Sequence, residues 1–334
     1  MSEPLPTILK DRYGRVIRDL RISVTERCNF RCSYCKPLFG FSEKYRPELM
    51  TFEEITRFAG LFGQMGVQKL RLTGGEPLLR RELEVLIKML SQVEGIEDIA
   101  MTTNAFFLEQ KAELLKEAGL TRLTISMDSL RKERFHEMTS TQSFDRVMRG
   151  IEKAKEVGFF PLRINMVVMR GINEDEIVDF AHFARDTGHM VRFIEFMPLD
   201  SGKTWDQSQV VTQEEILEHL RRVGPLEELG RSYSSETASR FRYADGKGEL
   251  GIIAPVSVPF CGQCSRLRLS ADGRLRTCLF SAKDHSLLDQ MRAGATDHEL
   301  CERISELTWN KEAGHRINQP DFVSPNRSMS LIGG

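Results

Sequence analysis

Three cysteines, Cys28, Cys32 and Cys35, stand at CxxxCxxC spacing directly after the apolar segment Leu20-Arg21-Ile22-Ser23-Val24. Thiolates are the usual ligands of iron–sulfur clusters, and a four-iron cluster normally takes four of them. A loop that offers three leaves one iron open, which marks a reactive metal centre rather than a structural one. Zinc sites pair a CxxC with a second CxxC or with a histidine pair, and this spacing fits them poorly. On these residues alone, zinc completed from elsewhere and plain buried thiols stay open as alternatives. Tyr34, just before the third cysteine, is placed to cover the metal or its ligand. A second group follows far down the chain: Cys261-Gly262-Gln263-Cys264, then Cys278. Ala271-Asp272-Gly273-Arg274 reads as a hairpin turn that brings Cys278 back toward the CxxC. A second open cluster and a zinc ribbon short of one ligand both fit this group. Arg266 and Arg268 alternate along the strand between, so they share a face. A solvated surface pair is the default for charged residues. Beside a metal site, two forked guanidiniums suit phosphate oxygens or a planar acceptor, hence an anionic substrate.

The chain that must place these residues has 334 amino acids, 40% of them hydrophobic, ample for one large core or two domains. A net charge of −1 gives no global reason to expect nucleic acid or an anionic membrane as partner. The opening stretch MSEPLPTILKDRYGRVIRD reads as neither a signal nor a transit peptide, and no apolar run is long enough for a bilayer. A cytoplasmic protein is expected. In a reducing compartment the cysteines argue for metal rather than disulfides. Cys301, outside both groups, lies in a helical-looking stretch and reads as a core thiol. The histidines show no ligand spacing such as HxxxH.

From Leu20 to about Met197 short apolar strands alternate with amphipathic helices. Strands are expected at Leu20–Val24, Lys69–Thr73, Ile99–Thr103, Arg122–Met127, Leu162–Val168 and Val191–Phe196. Thr51-Phe52-Glu53-Glu54 and Thr212-Gln213-Glu214-Glu215 read as capping boxes, and Asn173-Glu174-Asp175-Glu176 resembles one. Gly66, Gly119, Gly158 and Gly188 fall where left-handed helix ends are expected. Six βα units in a row imply an α/β fold with a parallel sheet, and their unbroken repeat favours a curved, partly closed barrel. The unusual residues gather just past the strand ends: the first cysteine group, Gly74-Gly75-Glu76-Pro77, Thr102-Thr103-Asn104, Ser126-Met127-Asp128-Ser129 and Glu195-Phe196-Met197-Pro198. Each alone reads as a tight turn or a helix cap. Together they sit where βα barrels build their active sites. After about residue 200 the pattern becomes irregular, with short strands near Phe241–Tyr243 and Leu250–Ile253.

These motifs resemble the radical S-adenosylmethionine superfamily and, within it, the GTP 3′,8-cyclase family of molybdenum cofactor biosynthesis. The resemblance runs from about Asp19 to Gly334. It rests on Asp19–Thr25, Cys28–Cys35, Arg71–Pro77, Arg192–Met197, Cys261–Cys264 with Cys278, the Arg266/Arg268 pair and the terminal Gly333-Gly334. It implies a partial (β/α)6 barrel over residues 1–200 and a smaller α+β module over residues 201–334 that closes the barrel and carries the second site. It further implies a [4Fe-4S] cluster on Cys28, Cys32 and Cys35, with S-adenosylmethionine on the open iron touching Tyr34, Gly75, Ser126 and Met197. A second [4Fe-4S] cluster falls to Cys261, Cys264 and Cys278, its open iron taking the guanine of GTP. Arg21, Arg71, Thr102, Arg163, Arg266, Leu267 and Arg268 match GTP-contacting positions, and Arg192 joins them. The implied reaction removes hydrogen from ribose C3′ and joins C3′ to guanine C8. The double-glycine tail is slim enough to thread into the site; a frayed terminus is the plainer reading. A homodimer and a reducing electron donor are further implications.

The chain departs from the family pattern at Lys36, usually Met, at Ala105, usually Gly, and at Arg163, usually Lys. Arg for Lys keeps the charge but changes its geometry. Two other readings compete. A peptide-modifying radical enzyme with an auxiliary cluster would carry more C-terminal cysteines than this chain. A non-catalytic iron–sulfur carrier would close its clusters with four.

Overall fold

The computed structural model describes residues 8–35, 48–199, 205–233, 235–325 and 329–332. Lys36, the loop Lys36–Pro47 and the Gly333-Gly334 tail lie outside the described residues. The first half alternates as its periodicity predicts: β1 (Asp19–Ser23), α1 (Phe52–Gln64), β2 (Lys69–Thr73), α2 (Leu83–Leu90), β3 (Asp98–Thr103), α3 (Leu108–Glu117), β4 (Arg122–Ser126), α4 (Lys132–Thr139), α5 (Phe144–Glu156), β5 (Arg163–Val168), α6 (Ile177–Thr187) and β6 (Met190–Glu195). Each strand lies within one residue of its expected bounds. All six pair in parallel in chain order. Helices bury one apolar stripe against the sheet, as with Phe58 and Phe62 on α1 and Leu86, Ile87 and Leu90 on α2. Each such side chain withdrawn from water contributes about 1.5–3 kcal/mol.

Start and stop signals act where expected. Thr51 and Thr212 form complete capping boxes with Glu54 and Glu215. Gly188 ends α6 in the left-handed conformation at φ 73°. Asn173 departs from the expectation: its side chain caps nothing. The amide instead donates to the Asp128 and Val167 carbonyls and accepts from the Met169 backbone N–H, fully buried beneath the β5 end. An amide with three backbone partners in the core outweighs one helix cap.

The remaining elements are α7 (Gln213–Arg221), β7 (Leu226–Glu228), β8 (Ser239–Tyr243), β9 (Glu249–Ile253), β10 (Arg266–Leu269), β11 (Arg274–Arg276), β12 (His285–Ser286), α8 (Leu288–Arg292), α9 (Asp297–Trp309) and α10 (Met329–Ile332). Their strands extend the first-half sheet at both edges. β10 runs parallel to β1, and β9 runs parallel to β6. The described strands form one sheet in the order β12-β11-β10-β1-β2-β3-β4-β5-β6-β9-β8-β7. It does not close on itself. The turn between β10 and β11 holds Gly273 at φ +67° with Leu288 against it, as the hairpin reading requires. Cys301 is a core thiol of α9.

A short N-terminal hairpin precedes β1. Lys10 bridges Val16, and Leu9 and Ile17 bury their side chains in the core. The backbone N–H groups of Arg18 and Asp19 both donate to the Ser265 carbonyl, at 3.1 Å.

Candidate active site

The first cysteine group sits on the loop that leaves β1, held from two sides. The Arg31 and Ser33 N–H groups donate to the carbonyls of Thr139 and Met138 at the end of α4. From β2, Gly75 N–H donates to the Thr25 carbonyl at 2.9 Å, and Glu76 N–H to the Arg27 carbonyl at 2.7 Å. A Cβ at Gly75 would fall 2.2 Å from the Arg27 carbonyl oxygen, so only glycine allows this approach. The Glu76 carboxyl is buried and accepts from Leu78 N–H, Thr103 O–H and Asn104 N–H. Burial pushes it up to about 7 despite those bonds. Tyr34 donates to Asp128 at 2.6 Å; the other Asp128 oxygen takes the Val167 N–H at 2.8 Å. Burial also raises Asp128, to about 6, against both bonds. Ala105 follows this network at φ 62°, a left-handed position that glycine would take with less strain.

The second group lies across the same cavity. Cys261 opens a single turn that ends before Cys264, and Cys278 follows β11. Burial opposes ionisation of Cys264, but the Arg266 guanidinium and the Lys311 ammonium overcome it and bring the thiol down to about 6. Cys264 is therefore largely thiolate at neutral pH. Burial holds Cys32 and Cys278 well on the other side, protonated until a metal claims them. All six thiols are unbridged and partly exposed. Among the described residues, no three His, Cys, Asp or Glu side chains converge on a single-ion site.

Between the two groups runs a row of cations. The parallel register places Arg268, Arg21 and Arg71 side by side on β10, β1 and β2. Burial lowers all three, and each also feels its neighbours: Arg71 falls to about 10, with Arg122 and Arg163 next in effect, and Arg268 to about 9, with Arg266 next. Arg192 falls to about 9, through burial and then Arg163 and Arg71; its Nε is buried without a partner. Arg71 donates to Thr102 and Thr124 at 3.2 and 3.1 Å. Crowded, desolvated guanidiniums of one sign are costly alone and complement a polyanion.

One cavity of about 350 Å³ brings these parts together. Its walls include Cys28, Cys32, Cys35, Cys261, Cys264 and Cys278, with Tyr34, Gly75, Ser126 and Met197, and with Arg21, Arg71, Thr102, Arg192, Arg266 and Arg268. Two expected residues do not line it. Leu267 points the opposite way from its arginine neighbours and is fully buried in the core. Arg163 stands off the cavity and acts on it through charge, as a neighbour of Arg192. Sequence reasoning passed over Lys69, Arg122, Tyr233, Glu236 and Lys311, all on the walls. Lys69 shares the alternation of Arg71 on β2, the signal that found Arg266 and Arg268. Arg122 is paired with Asp98, and Lys69 sits 4.1 Å over the Tyr233 ring. Nothing in the sequence marks Tyr233 or Glu236, which reach the site from the β7–β8 connection.

A model of the radical S-adenosylmethionine superfamily matches residues 22–184, and one described as Molybdenum Cofactor Synthesis C matches residues 189–317. In fold, the chain is similar to crystal structures of Streptococcus suis SuiB: TM-score 0.63 at 14% identity over 90% of this chain and 68% of that one. The SuiB structure bound to S-adenosylmethionine gives 0.61 at 15% identity, over 95% and 75%. Sequence relatives are much nearer. A GTP 3′,8-cyclase of Acidothermus cellulolyticus is 44% identical over 94% of this chain and 88% of its own length. One from Xanthomonas axonopodis pv. citri is 45% identical over 98% and 99%. The mitochondrial GTP 3′,8-cyclase of Arabidopsis thaliana is 41% identical over 100% and 85%. The fold and the cysteine loop thus define a radical S-adenosylmethionine enzyme. The chain belongs to the GTP 3′,8-cyclase family. With that class come a [4Fe-4S] cluster and S-adenosylmethionine, and the residues fit: three unbridged thiols open into a cavity beside a glycine-made close approach. No helix among the described residues is long and apolar enough to cross a membrane.

Proposed function

We propose that this enzyme cyclises GTP to (8S)-3′,8-cyclo-7,8-dihydroguanosine 5′-triphosphate, the first step of molybdenum cofactor biosynthesis, using two [4Fe-4S] clusters in one cavity. The observation that carries the reading is the meeting of two three-cysteine groups and a row of buried arginines on the same walls. Cys28, Cys32 and Cys35 would hold the cluster that binds S-adenosylmethionine, with Tyr34, Gly75, Ser126 and Met197 around that ligand. When bound, this pair supplies a 5′-deoxyadenosyl radical able to take hydrogen from a ribose carbon. Cys261, Cys264 and Cys278 would hold the second cluster, against which the guanine is set. Arg21, Arg71, Arg192, Arg266 and Arg268, with Thr102, hold the triphosphate and ribose; Arg163 adds charge from behind Arg192. With both ligands seated, the cavity walls would limit the water that reaches the reacting carbons. Residues 201–334 act as the module that completes both sheet edges and brings the second group to the first. A cytoplasmic setting, a homodimer and a reducing electron donor belong to the same reading.

One assay tests it. Anaerobically reconstituted enzyme, reduced and given S-adenosylmethionine and GTP, should yield 5′-deoxyadenosine and the cyclised nucleotide. Iron should reach about eight per chain, four for each cluster. Zinc at the second group, or iron for one cluster, sinks the two-cluster model. 5′-Deoxyadenosine without any change in GTP sinks the substrate and favours a peptide-modifying enzyme.

A further inference from the structure

The search for unassigned chemistry leads to Arg15, on the N-terminal hairpin and 246 residues from the second cysteine group. Its side chain is 5% exposed, and its Asp11 partner is fully buried. Asp11 accepts from Arg15 Nε and also from the backbone N–H groups of Tyr13 and Arg15 at 2.9 and 3.0 Å, so the carboxylate is locked in place. The outer nitrogens of Arg15 turn to three backbone carbonyls. Nη1 donates to Cys261 at 2.9 Å and to Ala313 at 2.8 Å, and Nη2 donates to Glu312. One of these carbonyls belongs to a cysteine of the second group.

The other two belong to a segment that touches both parts of that group. Lys311 is buried and donates to the Thr277 carbonyl, next to Cys278. Glu312 accepts from the Thr277 hydroxyl at 2.7 Å. Gly314 packs on Cys261 so closely that a Cβ there would lie 3.0 Å from Cys261 Cβ and 3.3 Å from its sulfur. Arg15 therefore ties the Cys261 turn to the segment that also braces Cys278. The Ser265 carbonyl, accepting from Arg18 and Asp19, secures the other end of the same turn. A buried ion pair of this kind adds little net stability. A planar fork with several fixed donors instead sets position, which a lysine ammonium cannot reproduce.

We infer that Arg15 is a positioning residue of the second metal site, fixing the Cys261 ligand through its backbone carbonyl. The inference rests on the two-cluster reading. It makes the N-terminal hairpin part of a site whose thiols all lie near the other end of the chain.

The test uses two full-chain backgrounds. In one, Cys28→Ser, Cys32→Ser and Cys35→Ser leave the second group alone; in the other, Cys261→Ser, Cys264→Ser and Cys278→Ser leave the first. Arg15→Lys is added to each, the proteins are reconstituted anaerobically, and cluster absorbance and the reduced-state electron paramagnetic resonance signal are followed under an iron chelator. Loss of an outer partner of a metal ligand typically costs 10–100-fold in affinity, so cluster loss should accelerate by about tenfold or more in the second-group background and stay unchanged in the other. Equal acceleration in both backgrounds, or none in the second-group one, overturns the inference. If Arg15→Lys does not fold, Asp11→Asn, which frees the fork from its anchor, must show the same one-sided effect or the inference fails. A second-group background that takes up no iron–sulfur cluster overturns the two-cluster reading, and the inference with it.

Discussion

Glu76 is 1% exposed beneath the cysteine loop, and burial lifts its carboxyl from 4.5 to about 7. A raised acid binds its proton more tightly folded than unfolded. Its contribution is therefore full below the unfolded value and is lost as pH climbs from about 4.5 to 7, by up to roughly 3 kcal/mol. Denaturant titrations of the metal-free chain should show stability falling across that window, and Glu76→Gln should flatten the fall; an unchanged slope rejects the assignment. Arg192 gives a prediction of opposite sense for stability and binding. Removing a charge-assisted partner of the triphosphate should weaken GTP binding about 10–100-fold. Because Arg192 is desolvated and crowded by Arg163 and Arg71, Arg192→Met should also raise the thermal midpoint of the GTP-free chain. Calorimetric titration and thermal melting check the two halves, and a lowered midpoint contradicts the crowding. At this scale the cysteines and the alternating arginines were legible, since residue type and spacing alone identify them. The partner of Asp128 was not: placed on the strand-end rim with a helix cap as the plainer alternative, it is the acceptor of the Tyr34 hydroxyl, 94 positions away. Leu267 came from the family resemblance; the same alternation that aims Arg266 and Arg268 into the cavity turns its side chain into the core.

The β1 loop and the Gly74-Gly75 turn after β2 act as one element. Their contact is backbone on backbone: at Gly75 a Cβ would meet the Arg27 carbonyl oxygen at 2.2 Å and its carbon at 2.6 Å. No side chain there can swing aside. On the two-cluster reading, Gly75→Ala should push the cysteine loop off β2 and cost the first cluster while sparing the second, so iron should fall from about eight to about four per chain. Retention of all the iron would show that the loop is held from α4 alone. The six βα units were legible because each strand and helix announces itself locally by period, cap and terminal glycine. Strand partnership between distant segments was not. Nothing in Arg266–Leu269 or Glu249–Ile253 says that one lies parallel to β1 and the other parallel to β6, because that pairing is decided by burial of both sheet edges at once.

For the whole molecule, this means the first half does not end in finished edges. A fragment of residues 1–200 would expose the free backbone groups of β1 and β6, and unpaired edges of that length template aggregation. Expressed alone it should be insoluble; co-expression with residues 201–334 should recover soluble material, measured as the soluble fraction after lysis. A soluble, monomeric fragment would show that the edges protect themselves. The expected barrel was read from an unbroken repeat. The partial barrel keeps its six parallel units, and the later strands extend both of its edges, a placement that local patterns do not encode. The pairing of Asp19–Ser23 with Arg266–Leu269 also sets a clock. At about 5–20 residues per second, the ribosome needs roughly 12–50 s to add the intervening stretch. Throughout that interval the nascent chain carries Cys28, Cys32 and Cys35 on the loop after a strand with one side unoccupied, open to whatever delivers iron and sulfide. The cavity gains its second cysteine group only after translation has passed Cys278.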